Sequence, residues 1–173
     1  IGIENGHPVF KNVSIEAGII KEGHALGLCV SDLNQDGWLD IYCANDFVSN
    51  DLIWINNKNG TFTDKSSDFL THTSFNSMGV DIQDINNDSR PDICVLDMLP
   101  EIEERRKMMV MKTNTNYFRI AEMLGYQDEY VRNVIQLNQG KNNFDDLKFS
   151  EIGQLSGVHA TDWSWAPLLA DFD

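Results

Sequence analysis

The chain has 173 residues, 42% of them apolar, with 27 acidic side chains against 13 basic ones and a formal charge of −14. That length suits one domain or part of a larger one, and the apolar share is enough for a packed core. The charge argues against a nucleic-acid partner, which needs clustered Lys and Arg, and no apolar run approaches the roughly 20 residues of a membrane span.

The first residues, IGIENGHPVF, contain no initiator Met, basic n-region or apolar h-region, so no signal peptide is visible. Residues 1–25 read as the end of a preceding unit and a connection. Residues 26–66 read as a four-stranded unit, with strands near 26–31, 40–44, 51–56 and 61–65 and an Asn-Gly turn at residues 59–60. Between its first two strands lies DLNQDGWLD, residues 32–40.

Residues 67–165 read as a second such unit, with DINNDSRPD at residues 84–92. Residues 101–133 interrupt it: they lack strand alternation, are rich in Glu, Lys, Arg and Met, and predict two helices with a break near TNTN. Strand character resumes at VIQLNQG, residues 134–140, and residues 166–173 open a third unit. Cys29, Cys43 and Cys94 lie in apolar strand-like runs, match no metal spacing, and read as small core side chains.

A repeat underlies this order. Phe10 to Asp32, Phe62 to Asp84 and Phe149 to Asp171 are each 22 residues apart, and Gly27, Gly79 and Ala166 each stand five residues before the first loop Asp. The first period, Phe10 to Phe62, is 52 residues; the second, Phe62 to Phe149, is 87 because it contains the insertion. Four-stranded units of this length predict an all-β fold, with β-propeller blades of four antiparallel strands, acidic hairpin loops and one helical insertion. Propellers close with four to eight blades, so the chain is expected to be an incomplete propeller segment.

The loops carry the chemistry. Positions 1, 3, 5 and 9 are Asp32, Asn34, Asp36 and Asp40 in the first, and Asp84, Asn86, Asp88 and Asp92 in the second. A carbonyl at position 7, from Trp38 or Arg90, completes an all-oxygen set with three carboxylates, which suits Ca2+ better than Mg2+ or zinc. An EF-hand would need Glu at position 12 and flanking helices; Cys43 and Val95 stand at position 12, between strands. Ser89 replaces the turn glycine in the second loop, and only Asp171 and Asp173 are present of a third.

The stretches GLCVSDLNQDGWLDIYCAND, SMGVDIQDINNDSRPDICVLD and WAPLLADFD, with NNKNGTFTD, resemble the FG-GAP or VCBS repeat family. Its blades occur in integrin α-subunit heads and in proteins related to cartilage acidic protein; DMLPE and TDWSWAP look most like large bacterial cell-surface members. The resemblance implies calcium at Asp32, Asn34, Asp36, the Trp38 carbonyl and Asp40, and again at Asp84, Asn86, Asp88, the Arg90 carbonyl and Asp92. It also implies secretion or surface display and a role in adhesion or assembly.

No nucleophile–base motif, phosphate loop or H-E-x-x-H occurs. His72 and His159 each lie ten residues after a repeat Phe, and with Trp163 and Trp165 they mark a possible ligand face. The expected function is therefore a calcium-stabilised extracellular or cell-surface scaffold, non-catalytic, whose partner is another protein or a surface glycan. The alternatives are a propeller enzyme with its site on other blades or at the His72/His159 face, and a structural subunit of a surface complex docking through the insertion helices.

Overall fold

The computed structural model describes residues 2–47, 49–109, 115–123, 125–142 and 146–171. In chain order the elements are β1 (Gly2–Glu4), β2 (His7–Val9), β3 (His24–Ser31), β4 (Asp40–Asp46), β5 (Leu52–Asn56) and β6 (Phe62–Asp64). They continue with α1 (Ser66–Phe69), β7 (Thr73–Ser74), β8 (Gly79–Gln83), β9 (Asp92–Leu96), α2 (Glu103–Met108) and α3 (Thr115–Met123). The last three are β10 (Glu129–Tyr130), β11 (Val134–Lys141) and β12 (Leu147–Glu151).

Two four-stranded antiparallel sheets dominate, ordered β3-β4-β5-β6 and β8-β9-β11-β12. Each is an up-and-down meander whose first hairpin carries one acidic loop. This is the blade architecture of a propeller, and the two blades stack through their first strands, β3 against β8. The core lies between the sheets: Tyr42, Ala44 and Ile53 from the first meet Ile82, Ile93, Val95, Val134 and Phe149 from the second. β9 reads Asp-Ile-Cys-Val-Leu, and its first four residues are buried because blade packing covers both of its faces.

The blade contact explains the repeated small residues. A β-carbon on Gly27 would lie 3.0 Å from the Cα of Gly79, and one on Gly79 would lie 2.4 Å from the carbonyl oxygen of Trp165 and 3.2 Å from the Cα of Ala166. Successive inner strands thus meet backbone to backbone, which only residues without a large side chain permit. On the opposite side of β3, Leu26, Leu28 and Val30 are exposed, whereas of their repeat equivalents Met78 and Ile82 are buried and Val80 is half-buried.

Residues 166–170, the apolar run read as the strand entering the third acidic loop, join no ladder among the described residues. Their hold on β8 is a single described hydrogen bond, from the Leu169 N–H to Asp81. The insertion leaves after β9 and returns before β11. At its root the Asp97 N–H donates to the Asn133 side chain (2.7 Å), and the Arg132 N–H donates back to the Asp97 carboxylate (3.2 Å). α2 and α3 fall within the expected helical stretch; of the expected break near TNTN, residues 113–116, the first two lie outside the described residues and Thr115 and Asn116 open α3.

All three cysteines are free. Burial pushes the Cys94 thiol up to about 11, which leaves it a core side chain and not a nucleophile.

Candidate functional site

Each acidic loop is a hairpin connection between the first two strands of a blade. In the first, Gln35 and Gly37 take positive φ, 56° and 86°. In the second, Asn87 and Ser89 do the same at the equivalent places, 59° and 66°. Two left-handed residues curl the backbone so that its N–H groups point inward, toward the side chains at positions 1, 3 and 5.

The hydrogen bonds then match residue for residue. Asp32 accepts from the N–H groups of Asp36 (2.9 Å) and Gly37 (2.8 Å); Asp84 accepts from those of Asp88 (3.1 Å) and Ser89 (2.7 Å). Asn34 and Asn86 each receive the position 5 N–H on their side-chain oxygen and donate their amide to the position 5 carboxylate. Asp36 and Asp88 each accept the N–H of position 7. The side-chain oxygens of positions 1 and 3 therefore converge on the N–H of position 5.

Asp40 and Asp92 close the loops from below, and both are fully buried. Asp40 accepts from the N–H of Leu33 (3.0 Å) and of Asn56 (2.9 Å); Asp92 accepts from those of Ile85 (2.9 Å) and Asn138 (2.8 Å). Burial raises both carboxyls above their ordinary range against these hydrogen bonds, and the loop's own aspartates raise them further. Asp36 and Asp88 go the other way. Burial pushes them up, but the Asn amides, the position 7 N–H groups and the nearby Lys58 or Arg90 outweigh it.

The sequence reading missed Asn56 and Asn138. Besides pinning Asp40 and Asp92, their amides donate to the carbonyls of Leu39 (3.0 Å) and Pro91 (3.1 Å), which gives each blade the same clamp on its loop. Asn138 also donates to Leu33 O of the other loop, and Gln35 donates to Ser89 O, so the two loops are tied side by side. The available signal was an Asn near the end of the third strand in both repeats.

The donor set of the first loop suits a hard cation. It is entirely oxygen, it includes three carboxylates, and each carboxylate oxygen that accepts one N–H keeps a second lone pair. Among the described residues, no three His, Cys, Asp or Glu side chains stand at the spacing of a metal cluster. Asp171 lines a groove with Asp84 and Asn87 beside the second loop, and Asp173 lies outside the described residues.

These loops and their flanking strands coincide with a known pattern. Residues 32–95 match the family model of the FG-GAP-like repeat. That stretch belongs to the FG-GAP-like repeat family. The match begins at the first position of one acidic loop and runs through the other, so it covers both loops together with β4, β5, β6 and β8 and most of β9, while β3 lies before it. No curated protein matches the chain.

The residues of the other candidate face take part in different contacts. His72 accepts from Arg132 (2.9 Å), lies 3.3 Å from Glu151 and packs edge-on against Tyr130. Burial, with Arg132 beside it, lowers its pKa. His159 instead gives its carbonyl to the Asn133 N–H, while Trp163 and Trp165 project into solvent. His72 thus belongs to an ion-pair cluster that fastens the end of the insertion to β12.

Proposed function

We propose that this chain is a non-catalytic, calcium-stabilised binding scaffold that acts outside the cell or on its surface. The observation that carries the reading is the repetition of one loop plan. Two stretches 52 residues apart hold equivalent Asp and Asn oxygens in the same hydrogen-bond scheme, with left-handed residues at the same two positions.

In the first loop Asp32, Asn34, Asp36, the Trp38 carbonyl and Asp40 would hold the ion. Bound there, calcium supplies positive charge among like charges and a cross-link between positions far apart in the loop. The chain's own residues do the positioning: Asp32 orients the position 5 and 6 amides, and Asn56 holds Asp40. A rigid rim of this kind suits a protein that presents surfaces and does not close around a substrate.

The family of residues 32–95 supports adhesion or assembly as the role and the cell exterior as the place. The insertion supports a protein as partner. Ile102, Met108, Phe118, Ile120 and Met123 are all exposed there, and such apolar side chains gain from being covered. No helix among the described residues is long and apolar enough to cross a membrane.

The test is a calorimetric calcium titration with melting in calcium and in chelator, on the chain as it stands and on Asp36→Ala. Heat of binding and a higher melting temperature, both lost in Asp36→Ala, support the reading. If neither heat nor melting responds to calcium, the calcium scaffold is rejected.

A further inference from the structure

The two loops share a backbone but differ in what meets their position 5 carboxylate. In the first, Lys58 reaches Asp36 from a hairpin tip with one contact at 3.3 Å, and its side chain is about half exposed (49%). The position 7 side chain there is Trp38, which carries no charge and faces solvent. In the second, position 7 is Arg90. Its Nη2 donates to Asp88 Oδ2 at 2.5 Å, and its Nε donates to the Asn138 carbonyl at 2.9 Å.

The Arg90 stem is held as well as its head. It lies against Gly140, where a β-carbon would stand 3.4 Å from the Arg90 Cδ, and Gly140 is itself in the left-handed region (φ 71°). The same guanidinium therefore bonds a loop carboxylate and the backbone of β11, beside the Asn138 that clamps Asp92. A guanidinium placed this way is a delocalised cation that never loses its charge at physiological pH.

We infer that Arg90 is the built-in cation of the second loop, so that this loop keeps its shape without metal and only the first loop takes calcium. The inference rests on the calcium reading of the first loop but is decided separately from it. A divalent ion entering the second loop would have to displace a two-point contact, whereas in the first it displaces one exposed ammonium. Arg90 is thus a specificity-determining residue: it turns one of two equivalent loops from a metal site into a self-neutralised turn.

The experiment is calorimetry with calcium chloride on the full chain in four forms: unaltered, Asp36→Ala, Arg90→Met and Asp36→Ala/Arg90→Met. The expected result is one calcium, none, two and one, in that order. The deciding comparison is the double variant against Asp36→Ala, since both lack the first site. A gain of one calcium supports the inference, even if the unaltered chain binds none and the first-loop reading fails. No gain overturns it, and so does calcium bound by Asp36→Ala alone with the affinity of the double variant. Should Arg90→Met fail to fold, Asp88→Asn decides the matter. Unchanged calcium stoichiometry supports a loop filled by Arg90, and loss of one calcium overturns it.

Discussion

Gly79 faces the carbonyl of Trp165 so closely that a β-carbon would fall 2.4 Å from the oxygen. The obstacle is backbone, which cannot rotate away as a side chain can. Gly79→Ala is therefore expected to destabilise the fold by about 1–3 kcal/mol, the usual cost of overpacking. Gly27→Ala, whose nearest obstacle is the Gly79 Cα at 3.0 Å, should cost less. Urea unfolding of the two variants measures both, and equal stability of Gly79→Ala and the unaltered chain would contradict the contact.

Ser89 occupies a left-handed position that Gly37 fills in the first loop. An L-residue other than glycine pays roughly 1–2 kcal/mol there, and part of the relief is offset by the larger entropy glycine loses on folding. Ser89→Gly is expected to raise stability by about 0.5–1 kcal/mol, since it keeps the N–H that Asp84 accepts. Gly37→Ser should do the reverse. Chemical denaturation in chelator reads both without any contribution from metal.

Asp40 has a structural task apart from any ion. Removing its carboxylate leaves the N–H groups of Leu33 and Asn56 without their acceptor. Asp40→Ala is expected to lose about 1–3 kcal/mol for each group left unpaired, in chelator as well as in calcium. Asp92→Ala should behave alike through Ile85 and Asn138. A loss seen only in calcium would show that Asp40 serves the ion alone.

Asp51 is fully buried, accepting from the Tyr42 hydroxyl (2.7 Å) and the Asn45 N–H (2.8 Å). Burial raises its pKa from 3.8 to about 7, with Asp97 adding to the rise and the hydrogen bonds opposing it. Between those values the unfolded chain has released the proton that the folded chain keeps. Asp51 therefore contributes a fall in stability as pH rises from about 4 to about 7, with a slope of at most about 1.4 kcal/mol per pH unit. Below that window both states are protonated and above it both are ionised, so the contribution is flat. Comparing stability against pH for the unaltered chain and Asp51→Asn isolates it, and the difference should vanish as a slope outside the window.

The blades were legible because the repeat constrains the reading twice. A strand assigned from Leu28 and Val30 in one unit had to fit Val80 and Ile82 in the next, and the 22-residue spacing from each Phe to each Asp fixed the register. Gly27, Gly79 and Ala166 stood out by position, and their packing gives the physical reason. What stayed hidden depends on contacts between distant residues. His72, Arg132 and Glu151 are brought together across 60 and 19 residues, so no local pattern marks them. Asn138 resembles any polar residue near a strand end until its bonds to Leu33 and Asp92 are seen. Arg90 was read for its carbonyl, because ligand spacing says nothing of where a long side chain folds back. The expected strand at 166–170 failed to appear as one, because a ladder needs a neighbour and apolar sequence alone does not supply it.

The root of the insertion has a consequence for how this scaffold varies. Asp97 and Asn133 hold each other where the chain departs from β9 and re-enters β11, so the blade's register is settled before a single residue of the helices is counted. The helices α2 and α3 lie between this clasp and residues 127–130, which are themselves tied to Asn50, Leu70, Thr73 and Phe75. Helices could be lengthened, shortened or exchanged for another module with matching ends while both acidic loops kept their shape. The rim sets where the insertion begins and ends, and residues 127–132 fasten its returning end a second time.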